Sequence, residues 1–318
     1  MVTIQCLVFN HEPYIRKCLE GFVMQKTNFR YEAIVHDDVS TDGSVNVIKE
    51  FEEKYPGIIK PIYETENQFS KNDGSLNRVI EEHTRGKYIA LCEGDDYWTD
   101  PNKLQKQVDY MESHPECSLV FHNAFIEKAS IGKIVSSHRI CSHPGEISLR
   151  KIIRDGGLIP TLSIMYRAAA FKEFNNFPFN CPVGDLRIQT YAAMVGKVHY
   201  MNEIMGVYRL VDTSVTHVIA DNVNKYINHH EKFIEWYKSV DEYTNYKYKR
   251  EIKGAIHFSE ARIHIAQKEY CKLWNPKFYS YIWNEPINMR MGLLLRMIGL
   301  EKLYKIGHSY LEKRRSKK

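Results

Sequence analysis

No stretch of the 318-residue chain comes near the ~18 uninterrupted apolar residues that a membrane-spanning helix requires. The N-terminus, Met1-Val2-Thr3-Ile4-Gln5-Cys6-Leu7-Val8-Phe9, has neither a basic region nor a small-residue cleavage site, so it reads as a first strand and not as a signal peptide. Glycine and proline are sparse, at 17 and 11 residues, which excludes collagen-like, low-complexity and disordered classes. A Cys-x-x-Cys pair is missing. The seven cysteines (Cys6, Cys18, Cys92, Cys117, Cys141, Cys181, Cys271) are odd in number, scattered and mostly set among apolar residues. They are expected to be buried free thiols in a reducing, cytoplasmic compartment, not a disulfide framework or a zinc site. The first strand is followed by neither G-x-x-x-x-G-K-S/T nor G-x-G-x-x-G, which disfavours P-loop NTPases and dinucleotide dehydrogenases. No internal repeat is evident.

What is present is an ordinary globular composition, 43% hydrophobic and 26% charged, over a length that allows two domains at about 150 residues each. The net charge of +5 is unevenly placed. Residues 286–318 carry nine Lys/Arg against two acids, a net +7, which leaves residues 1–285 at −2. A slightly acidic body with a basic tail argues against a nucleic-acid partner.

Along the first 125 residues, strand and helix patterns alternate. Thr3–Phe9, Tyr31–His36, Ile58–Tyr63, Tyr88–Cys92 and Ser118–His122 are short, apolar and rich in β-branched or aromatic residues. Between them, Ile15, Cys18, Leu19, Phe22 and Val23 follow Pro13 at helical spacing; Val45, Ile48 and Phe51 mark a second helix. A third is expected to open with Asp100 as N-cap and Pro101 at its first position, burying Leu104, Val108 and Met111. This order implies an α/β fold with a mostly parallel sheet flanked by helices, whose ligands bind at the carboxyl ends of the strands. Residues 126–220 are less regular, and from Asp221 the pattern is purely helical. The expected domains are 1–220, carrying the chemistry, and 221–318, a C-terminal helical appendage.

Three polar constellations follow strands. Phe9-Asn10-His11-Glu12 leads into a helix whose N-terminal amides suit a phosphate or nucleotide, or are simply capped. His36-Asp37-Asp38-Val39-Ser40-Thr41-Asp42-Gly43-Ser44 ends the second strand with paired carboxylates that need donors or a ligand. Cys92-Glu93-Gly94-Asp95-Asp96-Tyr97-Trp98 places three acids within four residues, a donor set for Mg²⁺ or Mn²⁺, beside a Trp98 face on which a sugar could stack. Together they read as a nucleotide diphosphate and a divalent metal at one sheet rim.

In this order the motifs resemble the family 2 glycosyltransferases, which have the GT-A (Rossmann-like) fold. Val8-Phe9-Asn10 is similar to the family's T-Y-N, His36 to Ser44 to V-D-D-x-S-x-D-x-S/T, and Glu93 to Trp98 with Asp100-Pro101 and Lys103-Leu104 to its D-x-D-D region and D-P-x-K-L continuation. The resemblance spans roughly residues 1–215. It implies an inverting transferase using a nucleotide-diphosphate sugar, UDP-linked, with Mn²⁺ or Mg²⁺ as cofactor. By position, Phe9 and Asp38 bracket the nucleobase, with Asn10 and Glu12 in the same nucleotide site. Asn77 and Arg78 reach donor phosphates, and Asp95 and Asp96 hold ribose and metal. Val8 replaces the usual Thr, and Glu93 stands where the first Asp of D-x-D sits. Pro182-Val183-Gly184-Asp185-Leu186-Arg187 is similar to the segment whose Asp is the catalytic base, making Asp185 the base; the lesser alternative is an N-cap for the helix starting near Leu186. Tyr208-Arg209 to His217 is similar to Y-R-x-x-x-x-S-x-S/T, with Arg209 or His217 steadying the diphosphate and His217 completing the metal site.

The acceptor implied is a growing glycan or a lipid-linked precursor of a cell-surface polysaccharide. The stripe Met289, Leu293, Met297, Leu300, Tyr304, Leu311 within basic residues 286–318 either lies along an anionic membrane, on the inner face of the cell membrane, or packs on the catalytic domain. Two rivals are a sugar-nucleotide nucleotidyltransferase, disfavoured because the loop after strand one has neither glycine nor a basic pair, and a non-catalytic nucleotide-sugar-binding module.

Overall fold

The computed structural model describes residues 1–71, 73–138, 141, 143–156, 159–212, 214, 219, 222–284 and 287–299. They fall into two compact units, one formed by Met1–Phe177 with Val183–Ser214, the other by Pro178–Pro182 with Val215–Lys318.

In the first unit, β1 (Val2–Val8), α1 (Glu12–Val23), β2 (Tyr31–Asp37), α2 (Ser44–Lys54) and β3 (Ile59–Tyr63) form successive βαβ crossovers. Helices α3 (Gln68–Lys71) and α4 (Ser75–His83) lead to β4 (Tyr88–Leu91). β1 lies between β2 and β4, parallel to both, and β3 lies parallel outside β2. Val2, Ile4, Cys6 and Val8 are buried, and α1 covers them with Ile15, Cys18, Leu19 and Phe22 while Pro13 occupies its first turn. Burial of each such aliphatic side chain contributes about 1.5–3 kcal/mol.

After the two-residue β5 (Tyr97–Trp98), helix α5 (Lys103–Ser113) buries Leu104, Val108 and Met111 as its spacing predicts. It begins two residues later than Pro101, because the Asp100 carboxylate closes a preceding turn by accepting from Asn102 N at 2.8 Å. Then come β6 (Cys117–Lys128), β7 (Lys133–Ser137), β8 (Gly145–Glu146), α6 (Leu149–Asp155), β9 (Met165–Arg167), α7 (Gly184–Val195) and β10 (Lys197–Leu210).

The described residues build one ten-stranded sheet in the order β3-β2-β1-β4-β9-β6-β10-β5, with β7 beside β6 and β8 beside β10. β6 and β10 run parallel, but β9 enters antiparallel between β4 and β6, and β5, β7 and β8 also pair antiparallel. The sheet is therefore mixed where the sequence pattern reads as mostly parallel. β9 is three residues long, too short to show a period, and no crossover helix of the usual kind precedes it.

In the second unit, α8 (Val223–Tyr243) buries His230, Trp236, Tyr237 and Val240, and α9 (Lys249–Ala266) buries Ile252, Ala255, Ser259 and Ala261. Helices α10 (Tyr279–Asn284) and α11 (Ile287–Met297) follow. Ala261, Leu273, Phe278, Tyr281, Ile282, Leu293 and Met297 form a core of their own. Leu293 and Met297, members of the stripe read as a membrane face, thus close on their own unit; positions 300–318 of the tail lie outside the described residues. Among the described residues no helix is long and apolar enough to cross a membrane.

Candidate active site

The carboxyl ends of β1 and β2 meet as two interlocked loops. Asn10 N donates to Ser40 Oγ, His11 N to Ser44 Oγ and Glu12 N to Asp42 Oδ2, each at 2.9 Å. In return, Thr41 N donates to Asn10 Oδ1 and Gly43 N to Glu12 Oε2, both at 2.8 Å. The amides read as open to a phosphate are therefore occupied, and the side chains of Asn10 and Glu12, expected on the nucleotide, are fasteners between loops. Asn10 and Val39 both adopt left-handed backbone, with φ of 56° and 66°. For a β-branched valine this is a strained conformation that the surrounding bonds must hold, at about 1–3 kcal/mol.

Asp38, expected to accept from the nucleobase, has both oxygens on backbone amides, Gln68 N at 2.6 Å and Phe69 N at 3.0 Å. It anchors the segment before β4. The neighbour Asp37 accepts from Ser40 N through Oδ2 at 3.1 Å, and its buried Oδ1 has no partner among the described residues. The open acceptor at this strand end is thus Asp37, one position earlier than the motif comparison places it. Phe9 stands half-exposed beside it. Asn77 and Arg78 lie exposed on α4, with the Arg78 guanidinium turned back onto Asp73 O at 3.0 Å.

Beyond β4 the acids crowd. Asp96 is buried; Oδ1 accepts from Arg209 N at 2.8 Å, while Oδ2 has no partner among the described residues. Burial, reinforced by Asp95, pushes its carboxyl well above the usual range. Glu93 is pushed up to about 8 by desolvation and by the charges of Asp95 and Asp185. Gly94 between them leaves room for the neighbouring loop: a Cβ there would sit 2.8 Å from His11 Nδ1 and 3.0 Å from Val8 Cγ2. That His11 nitrogen is buried with no partner among the described residues, and burial holds the ring's pKa low against the pull of Asp95, Asp42 and Asp37.

Asp185 occupies the first turn of α7, where the helix dipole favours a carboxylate. Thr161 Oγ1 donates to its Oδ2 at 2.6 Å, and its buried Oδ1 has no partner among the described residues. Burial raises its pKa above the ordinary value. Helix α7 receives no side-chain cap, so Asp185 is not one. Tyr208 feels Asp96, Glu93, Asp95 and Asp185 together, which with burial pushes its phenol far up. The structure therefore brings Glu93, Asp95, Asp96 and Asp185 to one place, around a tyrosine. His11 and Tyr208 lie within motifs quoted from the sequence without a role being assigned to them, and no local signal marks Thr161.

Two expectations fail here. Trp98 is 2% exposed, its Nε1 donates to Leu162 O at 2.8 Å, and its ring lies 4.9 Å from Phe22. Pairing of β5 with β10 puts this side chain in the core, where no sugar can stack on it. Arg209 is also buried. Nε bonds Glu127 Oε1 at 3.1 Å, Nη1 bonds Asp95 O at 2.7 Å, and the guanidinium lies 4.3 Å over the Tyr97 ring. It organises the acidic loop and has no free face for a diphosphate. His217 lies outside the described residues.

Among the described residues, no three His, Cys, Asp or Glu side chains are grouped as a metal ion requires. The donor chemistry nevertheless suits a hard divalent cation, since among the described residues Asp96 Oδ2 is a buried acceptor without a partner, and burial with the neighbouring acids raises the carboxyls of Glu93 and Asp96 in the absence of a counter-charge.

Comparison with known proteins bears on the family and the fold. An uncharacterized protein of Mycobacterium tuberculosis is 35% identical over 208 residues, 65% of this chain and 58% of that protein, so the chain spans well under two thirds of that relative's length. The putative glycosyltransferase EpsE of Bacillus subtilis is 33% identical over 113 residues, 36% of this chain and 39% of that protein. Among solved structures, S. aureus TarS 1-349 in complex with UDP-GlcNAc aligns at a TM-score of 0.55 and 15% identity, covering 98% of this chain and 92% of that one. The mannosyltransferase PcManGT of Pyrobaculum calidifontis, in complex with GDP-Man and Mn²⁺, aligns at 0.54 and 14% identity, covering 94% and 86%. These likenesses show the GT-A fold. The family model described as "Glycosyl transferase family 2" matches residues 5–182, more than half of the chain and all three strand-end motifs, stopping just before Asp185. The chain belongs to glycosyl transferase family 2.

Proposed function

We propose that the protein transfers a sugar from a nucleotide-diphosphate sugar, UDP-linked, to a hydroxyl of a glycan or lipid-linked acceptor in cell-surface polysaccharide synthesis, inverting the anomeric centre. The observation that carries this reading is Asp185, a carboxylate with one oxygen fixed by Thr161 and the other buried beside the acidic loop with no partner among the described residues. Its raised pKa makes it a stronger base than a solvated aspartate once it is ionised. It takes the acceptor hydroxyl proton as the acceptor oxygen bonds to the anomeric carbon. The bond from that carbon to the diphosphate breaks, and the nucleoside diphosphate leaves.

Half-exposed Phe9 is assigned to the nucleobase face, and Asp37 Oδ1 to a base or ribose donor group. Asp95, with Asp96 Oδ2, Glu93 and His217, would hold Mn²⁺ or Mg²⁺, which neutralises diphosphate charge when bound. Support comes from TarS and PcManGT, whose complexes hold UDP-GlcNAc and GDP-Man with Mn²⁺. A polysaccharide role is supported by a 30% identical Bacillus subtilis relative over 111 residues, described as a putative teichuronic acid biosynthesis glycosyltransferase. Free, mostly buried thiols support a cytoplasmic site of action.

A thermal-shift panel of nucleotides with and without Mn²⁺ tests the donor: metal-dependent stabilisation by UDP is expected, and no response to any nucleotide refutes the reading. Asp185→Asn is expected to abolish transfer while UDP still stabilises the variant. Full activity would remove Asp185 as the base.

A further inference from the structure

The hairpin of β6 and β7 carries an apolar surface that the reaction does not use. Its strands pair antiparallel from Phe125↔Ser137 to Lys128↔Lys133, and the tip turns through Ala129–Ile131 and Gly132, whose φ of +59° favours glycine. Phe125, Ile131, Ile134 and Val135 are 40%, 55%, 47% and 53% exposed. Lys128 and Lys133 are exposed on either side of the tip, and residues 128–137 contain no acid. Among the described residues β7 pairs with β6 alone, leaving its outer edge open.

We propose that this hairpin docks on an anionic lipid bilayer, its apolar tip entering the interface and its lysines meeting the headgroups. An apolar tip flanked by cations and free of acids is the composition that partitions to such surfaces. A second copy fits the face less well: two such tips would bring like charges, Lys128 and Lys133, together, with no acid in residues 128–137 to offset them. The stem is joined to the active site. Glu127 on β6 accepts from Arg209 Nε and from Tyr97 Oη at 2.9 Å, Arg209 holds the acidic loop, and the His138 ring meets Tyr208 edge-on at 5.6 Å. Docking would therefore present the carboxylate cluster to a membrane-borne substrate, deepening the lipid-linked acceptor of the proposed function. Vesicle binding is measured without any transfer assay, so the two readings fail separately.

The test uses the full chain and vesicles of mixed phosphatidylglycerol and phosphatidylcholine, against phosphatidylcholine alone. Co-sedimentation is expected with the anionic vesicles. It should fall by about tenfold or more in the pair Ile131→Ser with Val135→Ser, and likewise in Lys128→Gln with Lys133→Gln. Ile131→Trp separates the hairpin from the basic tail and still reports if the serine pair folds poorly. Its added emission is expected to shift to the blue on anionic vesicles and to be quenched by brominated lipid. Absence of wild-type binding, unchanged partition of both pairs, or an unshifted reporter overturns the proposal. So does a concentration-dependent dimer that the serine pair abolishes.

Discussion

Lys103 is fully buried in the α5 core, its ammonium donating to Gln107 Oε1 at 2.7 Å and lying 3.9 Å over the Trp98 ring. Burial takes its pKa from the usual 10.5 to about 7, against the opposing pull of Cys92 and Asp100. Between those two values the unfolded chain holds a proton that the folded chain has released. Stability must therefore rise with pH across the window from about 7 to 10.5, with the full deficit present below 7. At about 1.4 kcal/mol per pH unit, the ceiling on that deficit is about 5 kcal/mol. Lys103→Met keeps most of the volume and removes the titration. It also strands Gln107 Oε1, a loss of about 1–3 kcal/mol that does not change with pH. Urea unfolding of both proteins across pH 6 to 10 is expected to show the variant gaining on the wild type by several kcal/mol at the acid end. A wild-type-minus-variant difference that stays flat across the range, within about 0.5 kcal/mol, would refute a lysine made neutral by burial.

Glu12→Ala removes the acceptor of Gly43 N between the first two loops and is expected to cost about 1 kcal/mol in denaturant unfolding, with a weaker UDP response in the thermal-shift assay. Gly86→Ala would place a Cβ 2.5 Å from both Thr3 N and Tyr88 O, backbone that cannot move without opening β1 from β4. Several kcal/mol of destabilisation, or insoluble protein, is expected, and wild-type unfolding would contradict the packing. Arg209→Met leaves Glu127 and the acidic loop without their cation. A loss of about 3–5 kcal/mol is expected, partly recovered when Glu127→Gln is added, as a double-mutant cycle would measure.

The parts of the fold legible in the sequence are those where period and burial coincide. β1 with α1, and Leu104, Val108 and Met111 on α5, follow directly from apolar spacing. β9 and the β6–β7 hairpin do not: the first is too short to show a period, and the second is exposed on both strands, so it shows no alternation. Trp98 reads from the sequence as available because it is a tryptophan after a polar turn. What decides its place is β10, more than a hundred residues away, pairing Gly206 opposite it. Lys103 is the converse case, a lysine that composition assigns to solvent and the structure buries beneath that same ring.

The acids show why the site was only half legible. Sequence marks every carboxylate at a strand end alike, but function depends on which oxygens the fold has left open. Asp38, Asp42, Glu12 and Glu127 are held by donors, several from residues thirty or more positions away. Asp37 Oδ1, Asp96 Oδ2 and Asp185 Oδ1 are buried with no partner among the described residues, each a debit of about 1–3 kcal/mol that a folded chain ordinarily avoids. Their partners come from Ser40, Arg209 and Thr161, and each holds a single oxygen, which fixes the carboxylate and leaves its second oxygen for something else. Three such half-held carboxylates in one unit of a family 2 glycosyltransferase are best explained as a preorganised receiver for ligand groups. Fixing the acids before the ligand arrives means that less reorganisation is needed when charge moves in the transition state.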